Sequence, residues 1–169
     1  MKRKVFVGID NGVTGSIGVV DPAEHQAYQI LTPTVKELSY TKKKAFMTWI
    51  DYEEMRQFFE DIMKDDVQII SALERPMINP GRFKASVSAV LAWQTTLLIL
   101  KLLKIPYEYI DSREWQKKLL PSGLKKEELK RASYDIAKRM YPFAVIEGKD
   151  ADGLLIAEHI KRKYGGNGD

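Results

Sequence analysis

The sequence contains no cysteine. This absence excludes a disulfide framework and any metal site built from thiolates, and it fits a reducing compartment. Long apolar runs are also missing, because the longest, from Leu97 to Leu103, is interrupted by Lys101 and is too short to cross a bilayer. The basic N-terminus meets only a short apolar run that ends at Asp10, so we expect no signal peptide. These features predict a cytoplasmic protein without a membrane segment.

No strong excess of either charge is present. The chain has 27 Lys and Arg against 23 Asp and Glu, a net charge of +4. Such a modest basic excess is compatible with a polyanionic partner and is also common in proteins that never bind one. The 169 residues, 44% of them hydrophobic and 30% charged, are typical of a globular protein with its own core. We expect one domain over residues 1–164 and a flexible tail over residues 165–169.

The N-terminal segment has the pattern of a β-hairpin. An apolar strand ends at Asp10, a turn with Gly12 and Gly15 follows, and a second apolar strand continues to Asp21. Glycine adopts positive φ without steric penalty, and its missing side chain lets an anion or a metal approach the backbone. A third strand is predicted at residues 27–31, which makes the opening a three-stranded antiparallel meander.

The remaining elements alternate between helix and strand. Apolar residues at helical spacing predict a helix from Asp51, its N-cap, through Lys64. A buried strand at 67–73 then ends directly at Glu74, as the first strand ends at Asp10. The later elements are a loop at 75–82, a long helix at 83–104, a strand at 105–110, a short helix after Asp111, a helix at 125–140 and a last helix from about Asp150 to Tyr164. This order predicts an α/β fold with a mixed five-stranded sheet, three antiparallel strands followed by two parallel ones, and helices on both faces.

Two segments leave alternatives open. Residues 32–51 lack clean periodicity and are expected to lie over the sheet. Their lysine run, Lys42 to Lys44, is either a solvated surface or a DNA contact. The helix at 83–104 is apolar on more than one face, so its second face is either buried by neighbouring helices or forms a subunit interface.

Acidic residues at the strand ends are the strongest functional signal. Asp10 and Glu74 are expected at one edge of the sheet, where they repel each other and require a cation. The cation is either a basic side chain, for which Arg75 is the candidate, or Mg²⁺, which prefers oxygen ligands. A third carboxylate would favour the metal. Asp150 and Asp152 are candidates, although acidic residues there could instead cap the last helix.

Taken together, these pieces resemble the crossover-junction endonucleases of the RuvC type, the phage-encoded members most closely, within the ribonuclease H-like superfamily. The matching residues are Gly8-Ile-Asp10 with Gly12 and Gly15, Glu74 before a loop and a long apolar helix, Tyr109-Ile-Asp111 before Trp115, and Asp152-Gly-Leu-Leu-Ile-Ala157. The resemblance covers nearly the whole chain. It implies catalytic and metal-binding roles for Asp10, Glu74, Asp150 and Asp152. Members of the family usually have two acidic residues three positions apart near the last helix; here Lys149 is three before Asp152, so Asp150 is the expected fourth ligand.

The resemblance also implies an activity and partners. Two Mg²⁺ ions, for which Mn²⁺ could substitute, would hydrolyse a phosphodiester bond of a Holliday junction, leaving a 5′-phosphate and a 3′-hydroxyl. Forks and flaps are further candidate substrates. Because a four-way junction presents two symmetric strands, a homodimer is expected, with the long apolar helix as its twofold interface. The setting implied is the cytoplasm of a bacterial cell or of a phage-infected host.

Basic residues are expected to line the path of the DNA. The candidates for phosphate contacts are Arg75, Arg82, Lys84, Lys117, Lys118, Lys125 and Lys126. Met77 is expected either to wedge against an unstacked base or to tuck into the edge of the core. Lys149 either orients water or contacts phosphate, or is simply an exposed lysine.

Two rival functions use the same residues differently. Thr14-Gly15-Ser16 also fits the phosphate-binding hairpin of actin-like kinases and ATPases, but those proteins need a second domain and a second phosphate loop, which this chain cannot provide. A non-catalytic branched-DNA-binding protein of the same fold is the other rival, with Lys149 marking a decayed site. The retained Asp10, Glu74 and Asp152 argue against decay.

Overall fold

Strands and helices follow one another nearly as the sequence predicts. The structure, a computed structural model, describes residues 2–39, 42, 44–64 and 66–166. The strands are β1 (Lys4–Asp10), β2 (Ser16–Asp21), β3 (Gln26–Leu31), β4 (Thr34–Leu38), β5 (Phe46–Ile50), β6 (Gln68–Glu74), β7 (Tyr107–Ile110) and β8 (Val145–Ile146). The helices are α1 (Tyr52–Met63), α2 (Phe83–Leu102), α3 (Ser112–Leu119), α4 (Lys126–Met140) and α5 (Asp152–Tyr164), and a 3₁₀ turn, Pro80–Arg82, precedes α2. Of the expected tail, residues 167–169 lie outside the described residues.

The main sheet has the predicted mixed topology with one additional strand. Its order is β7-β6-β1-β2-β3-β8. β1 is antiparallel to β2 and parallel to β6, so the first strand is central and the carboxyl ends of β1 and β6 share one edge. The sixth strand, β8, pairs in parallel with β3 through only Tyr28↔Val145 and Gln29↔Ile146. The expected count of five is therefore wrong by one, because two residues are too few to show an alternating pattern.

Residues 34–50 form a separate antiparallel hairpin rather than an irregular cover over the sheet. β4 pairs with β5 from Thr34↔Ile50 to Leu38↔Phe46. Ile50 is buried whereas Phe46 is 71% exposed. Burial thus changes along the hairpin instead of alternating, which explains why its sequence lacks a clean period. Residues 40, 41 and 43 of its connection lie outside the described residues.

Both faces of the main sheet are covered by helices, as predicted. Successive residues of β1 point to opposite faces, so Phe6 and Val7 enter different cores and both are buried. The Phe6 core includes Trp115 of α3 and much of α5. The Val7 core includes Phe59 of α1 and side chains of α2. The predicted N-cap of α1 is confirmed, since an oxygen of Asp51 accepts the Glu54 N–H at 3.0 Å.

Helix α5 lies unusually close to the sheet because glycines face each other across the contact. A Cβ on Gly8 would stand 2.3 Å from the backbone nitrogen of Ala157, and a Cβ on Gly18 would stand 2.2 Å from that of Leu154. Gly153 contributes on the helix side, where an added Cβ would meet the Gly18 nitrogen at 2.8 Å. Any side chain at these positions would push the helix away. The contact therefore fixes the first turn of α5 over the ends of β1 and β2.

Helix α2 is apolar on two sides, and one of them is not covered within the described residues. Ile99 and Leu100 are fully buried, whereas Leu98 and Leu102 are 47% and 58% exposed. On length and composition alone, the segment Pro80–Leu102 could cross a membrane, although core helices of soluble proteins meet the same criterion. The sequence-based expectation that no segment crosses a membrane rests on the shorter apolar run 97–103.

Candidate active site

Three carboxylates meet where β1 ends and α5 begins. Asp10 is the last residue of β1, Asp152 is the first residue of α5, and Asp150 lies in the preceding loop. One oxygen from each lies within 4.8 Å of the others, and all three residues are half-buried. Carboxylate oxygens are the ligands that Mg²⁺ and Mn²⁺ prefer, so the chemistry of this donor set fits a hard divalent cation.

The buried side chain of Gln29 holds the loop that carries Asp150. Its amide nitrogen donates to the backbone carbonyls of Glu147 and Asp150, at 3.0 and 2.9 Å, and its amide oxygen accepts the Leu154 N–H at 3.0 Å. A residue of β3 thus ties the loop to the first turn of α5. No pattern in the sequence singles out this glutamine, because its partners lie more than a hundred residues away along the chain.

Two hydroxyl groups satisfy other backbone donors at the start of α5. Ser16 Oγ accepts the Gly153 N–H at 3.1 Å, and Ser133 Oγ accepts the Ala151 N–H at 3.1 Å. The N-cap position is Ala151, and no side chain caps the helix from that position. Neither acidic residue therefore caps the helix by a side-chain hydrogen bond, although Asp152 places a negative charge in its first turn.

Glu74 stands beside this group, at the end of the neighbouring parallel strand. It lies outside the trio of oxygens within 4.8 Å. The buried indole of Trp115 donates to Glu74 Oε2 at 3.1 Å and so orients the carboxylate. Burial raises the pKa of Glu74 to about 7; the Trp115 hydrogen bond opposes this shift, and the charges of Asp152 and Asp111 add to it.

Asp10 and Asp152 are also held against ionisation. Burial raises the pKa of Asp10 well above its ordinary value, and the charges of Glu74, Asp152 and Asp150 raise it further. Burial, with the charge of Asp150, likewise raises the pKa of Asp152 to about 6. Ionising the whole group therefore requires positive charge that the protein supplies only in part.

Lys130 of α4 supplies positive charge to this group. Its ammonium lies 2.9 Å from Asp150 Oδ2, and this hydrogen bond raises the pKa of Lys130. The helical pattern places Lys130 among the outward-facing residues, so sequence reasoning missed this contact. Arg75, the candidate for that role, instead lies 3.3 Å from Asp111 and over the ring of Tyr109.

The predicted DNA-contacting residues are all exposed on the surface. Arg75 and Met77 follow β6, Arg82 and Lys84 flank the start of α2, Lys117 and Lys118 end α3, Lys125 and Lys126 begin α4, and Lys149 precedes the carboxylate loop, all exposed. Met77 is 79% exposed, so the alternative in which it tucks into the core is wrong. Lys149 is exposed and forms no ion pair among the described residues.

Fold and site together define a ribonuclease H-like α/β domain with carboxylates at the ends of its central strands. No family model and no curated protein matches the sequence. Among solved structures, Thermus thermophilus RuvC in complex with a Holliday junction substrate matches with a TM-score of 0.57 and 12% identity, covering 96% of each chain. A second Thermus thermophilus RuvC structure matches with a TM-score of 0.50 and 14% identity, over 95% of this chain and 96% of that one. At such identities the likeness establishes the fold, which is that of RuvC.

Proposed function

We propose that this chain is a metal-dependent, structure-selective endodeoxyribonuclease that hydrolyses phosphodiester bonds in Holliday junctions and related branched DNA. One observation carries the proposal: oxygens of Asp10, Asp150 and Asp152 converge within 4.8 Å at an edge that also holds Glu74. The shared fold with a protein seen bound to a Holliday junction substrate supports the choice of DNA. The setting we propose is the cytoplasm of a bacterial cell or of a phage-infected host.

The carboxylates are proposed to hold two Mg²⁺ ions, with Mn²⁺ as a substitute. Asp10 ends the central strand β1, and the charges of Glu74, Asp152 and Asp150 all act on it, so it would be a ligand shared by the group. Two such ions would activate water and stabilise the leaving oxygen of an in-line displacement. The protein's own part is to orient the carboxylates, through the indole of Trp115 at Glu74 and through Gln29, which holds the backbone of the Asp150 loop. No covalent nucleophile is required.

Exposed basic residues around the edge are proposed to bind the DNA backbone. Phosphate contacts of this kind provide affinity without reading sequence, and they counteract the repulsion between DNA and the acidic cluster. Met77, which projects from the loop after Glu74, is proposed to pack against an unstacked base at the branch point. Forks and flaps share this branched geometry, so we include them as candidate substrates.

We further propose a homodimer, since two symmetric strands of a four-way junction must be cut. The exposed apolar side chains of α2, Phe83, Leu98 and Leu102, supply an uncovered surface for a twofold interface. Light scattering at micromolar concentration should give twice the monomer mass. A monomer under those conditions would exclude this assembly without affecting the proposed chemistry.

The deciding experiment is a cleavage assay on linear, forked, flapped and four-way DNA in Mg²⁺ or Mn²⁺. The wild type should cut branched DNA and leave 5′-phosphates, whereas Asp10→Asn, Glu74→Gln, Asp150→Asn and Asp152→Asn should each lose most of the activity. Asp135→Asn is the matched control, because it removes an exposed carboxylate of α4 whose one ion pair among the described residues is with Arg131, 3.9 Å away. Binding without cutting by the wild type would instead support the non-catalytic alternative.

A further inference from the structure

The hairpin β4–β5 begins and ends beside the carboxylate edge. After β3, the Thr32 N–H donates to the Gly15 carbonyl in the turn that follows Asp10, at 3.0 Å. β5 returns to the same region, where Met47 and Trp49 line a small cavity together with Val13 of that turn and with α2. The base of the hairpin is thus fixed to the turn that carries Asp10.

On one face of this hairpin, the part farthest from the buried Ile50 is exposed and carries both charge and apolar area. Leu38 and Phe46 are cross-strand partners, and Lys36 is two residues from Leu38, so the three side chains share a face. Leu38 and Phe46 are 63% and 71% exposed, and Lys36 is exposed as well. Apolar side chains next to a lysine on an uncovered ribbon are typical of a surface that meets a partner.

The connection between the two strands adds further positive charge. Lys42 and Lys44 are both exposed, and neither they nor Lys36 form an ion pair with any described residue. Glu37 is the single acidic residue of the hairpin strands. The charge of this surface is therefore complementary to a polyanion, and a two-stranded ribbon is narrow enough to enter a DNA groove.

We propose that β4–β5 is a DNA-binding arm, which contacts the backbone of the duplex beside the cleavage site. Lys36, Lys42 and Lys44 bind phosphates, and the pair Leu38 and Phe46 packs against deoxyribose. This inference rests on the proposed function, because it takes branched DNA as the ligand. It adds a second contact region on an element separate from the main sheet.

The test is a salt titration of junction binding by fluorescence anisotropy, with Asp10→Asn present in every protein to prevent cutting. Lys42→Ala/Lys44→Ala should lower the affinity by about tenfold and reduce the slope of log K against log salt by about 2, since each phosphate contact contributes about 0.9. Phe46→Ser should lower the affinity without changing the slope. The matched control is Lys2→Ala/Lys101→Ala, which removes two exposed lysines at the opposite end of the sheet.

Equal affinity and slope for Lys42→Ala/Lys44→Ala and for the control pair would overturn the arm. If the wild type cuts junctions in that case, the proposed function stands and the arm alone is wrong. If the arm variants lose affinity while the wild type cuts nothing, the arm is supported and the catalytic proposal fails. A wild type that neither binds nor cuts branched DNA overturns both. Circular dichroism of each variant confirms that affinity is compared between folded proteins.

Discussion

The ammonium of Lys130 lies 2.9 Å from Asp150 Oδ2, so a lysine of α4 occupies the position beside Asp150 that a metal ion would also seek. Two cations cannot share one carboxylate at short distance without repelling each other. A divalent ion that binds at the cluster must therefore either displace Lys130 or bind more weakly because the ammonium repels it. This competition sets the first prediction.

Lys130→Met should bind Mg²⁺ and Mn²⁺ more tightly than the wild type, by about three- to tenfold, because it removes the competing charge. Calorimetry of the metal-depleted proteins measures this difference directly. Lys126→Met, one turn earlier on α4 and exposed, is the control and should leave the affinity unchanged. Weaker metal binding by Lys130→Met would show that the lysine assists the ion instead.

Asp10→Asn should stabilise the metal-free protein at pH 8 by about 1–2 kcal/mol. Folding raises the pKa of Asp10. The contribution of this carboxyl to the free energy of unfolding is therefore fully present below its unfolded pKa and is lost as the pH rises through its folded pKa. Asparagine stays neutral and avoids that loss. Urea unfolding in EDTA between pH 5 and pH 8 should show the advantage of Asp10→Asn growing with pH.

The same variant should lose the stabilisation that Mg²⁺ gives to the wild type. Asp135→Asn, which removes a carboxylate from an exposed site, should show neither effect. If Asp10→Asn were less stable than the wild type at pH 8 in EDTA, the charge repulsion inferred for this cluster would be wrong.

Trp115→Phe should raise the pKa of Glu74 above its already elevated value, because it removes the 3.1 Å hydrogen bond that favours the ionised form. The acidic limb of the pH profile for metal binding should therefore move to higher pH. Trp93→Phe is a suitable control, since the buried indole N–H of Trp93 has no partner among the described residues. If the acidic limb of the pH profile is the same in Trp115→Phe as in the wild type, the indole does not influence the ionisation of Glu74.

Local patterns in the sequence predict the strand-end carboxylates well. Asp10 and Glu74 each follow a buried apolar strand, and the parallel pairing of those strands follows from the order of the elements. The position of Asp152 at the start of an apolar helix is likewise visible in the sequence. Each of these carboxylates is predictable because the apolar strand or helix that positions it lies directly next to it in the sequence.

Contacts between distant segments could not be predicted. Lys130 and Asp150 lie on different elements, and the bonds of Gln29 to the Asp150 loop span more than a hundred residues. Gly8 and Gly18 lie inside strands, where the sequence shows two glycines but not the helix that requires them. The hairpin β4–β5 was missed because its burial is set by α2 and the Asp10 turn and does not alternate along the strand.

Gly18→Ala should destabilise the protein by about 3 kcal/mol or more, since its Cβ would overlap the backbone of Gly153 and Leu154 at 2.2–2.3 Å. These are backbone atoms, so they cannot move out of contact by a change of rotamer as a side chain can. Gly81→Ala is the control, because the nearest atom to its Cβ is a side-chain oxygen of Asn79 at 3.3 Å. Thermal unfolding of both variants measures the difference, and equal midpoints would contradict the close helix-to-sheet contact. Loss of metal binding should accompany Gly18→Ala, as the helix that carries Asp152 is displaced.

Glu158, buried in α5 at the opposite end of the sheet, should respond to pH in the reverse sense. Burial alone would raise the pKa of Glu158, but hydrogen bonds from Tyr141, Arg162 and Lys161 outweigh it and lower the pKa. Arg162 Nε and Lys161 Nζ lie 2.7 and 3.0 Å from its oxygens. The stability that comes from this ionised group is therefore present above the unfolded pKa and is lost as the pH falls through the folded pKa.

Glu158→Gln should consequently cost about 1–3 kcal/mol at pH 7, because it leaves two cations without their buried counter-charge. The cost should shrink below about pH 4, where the wild-type carboxyl is protonated in the unfolded chain and then in the folded one. Urea unfolding of both proteins at pH 7 and at pH 3.5 measures the change. Glu127→Gln, an exposed residue in the first turn of α4, should cost well under 1 kcal/mol at either pH. A cost for Glu158→Gln that is independent of pH would mean that shape, and not charge, is what this residue contributes.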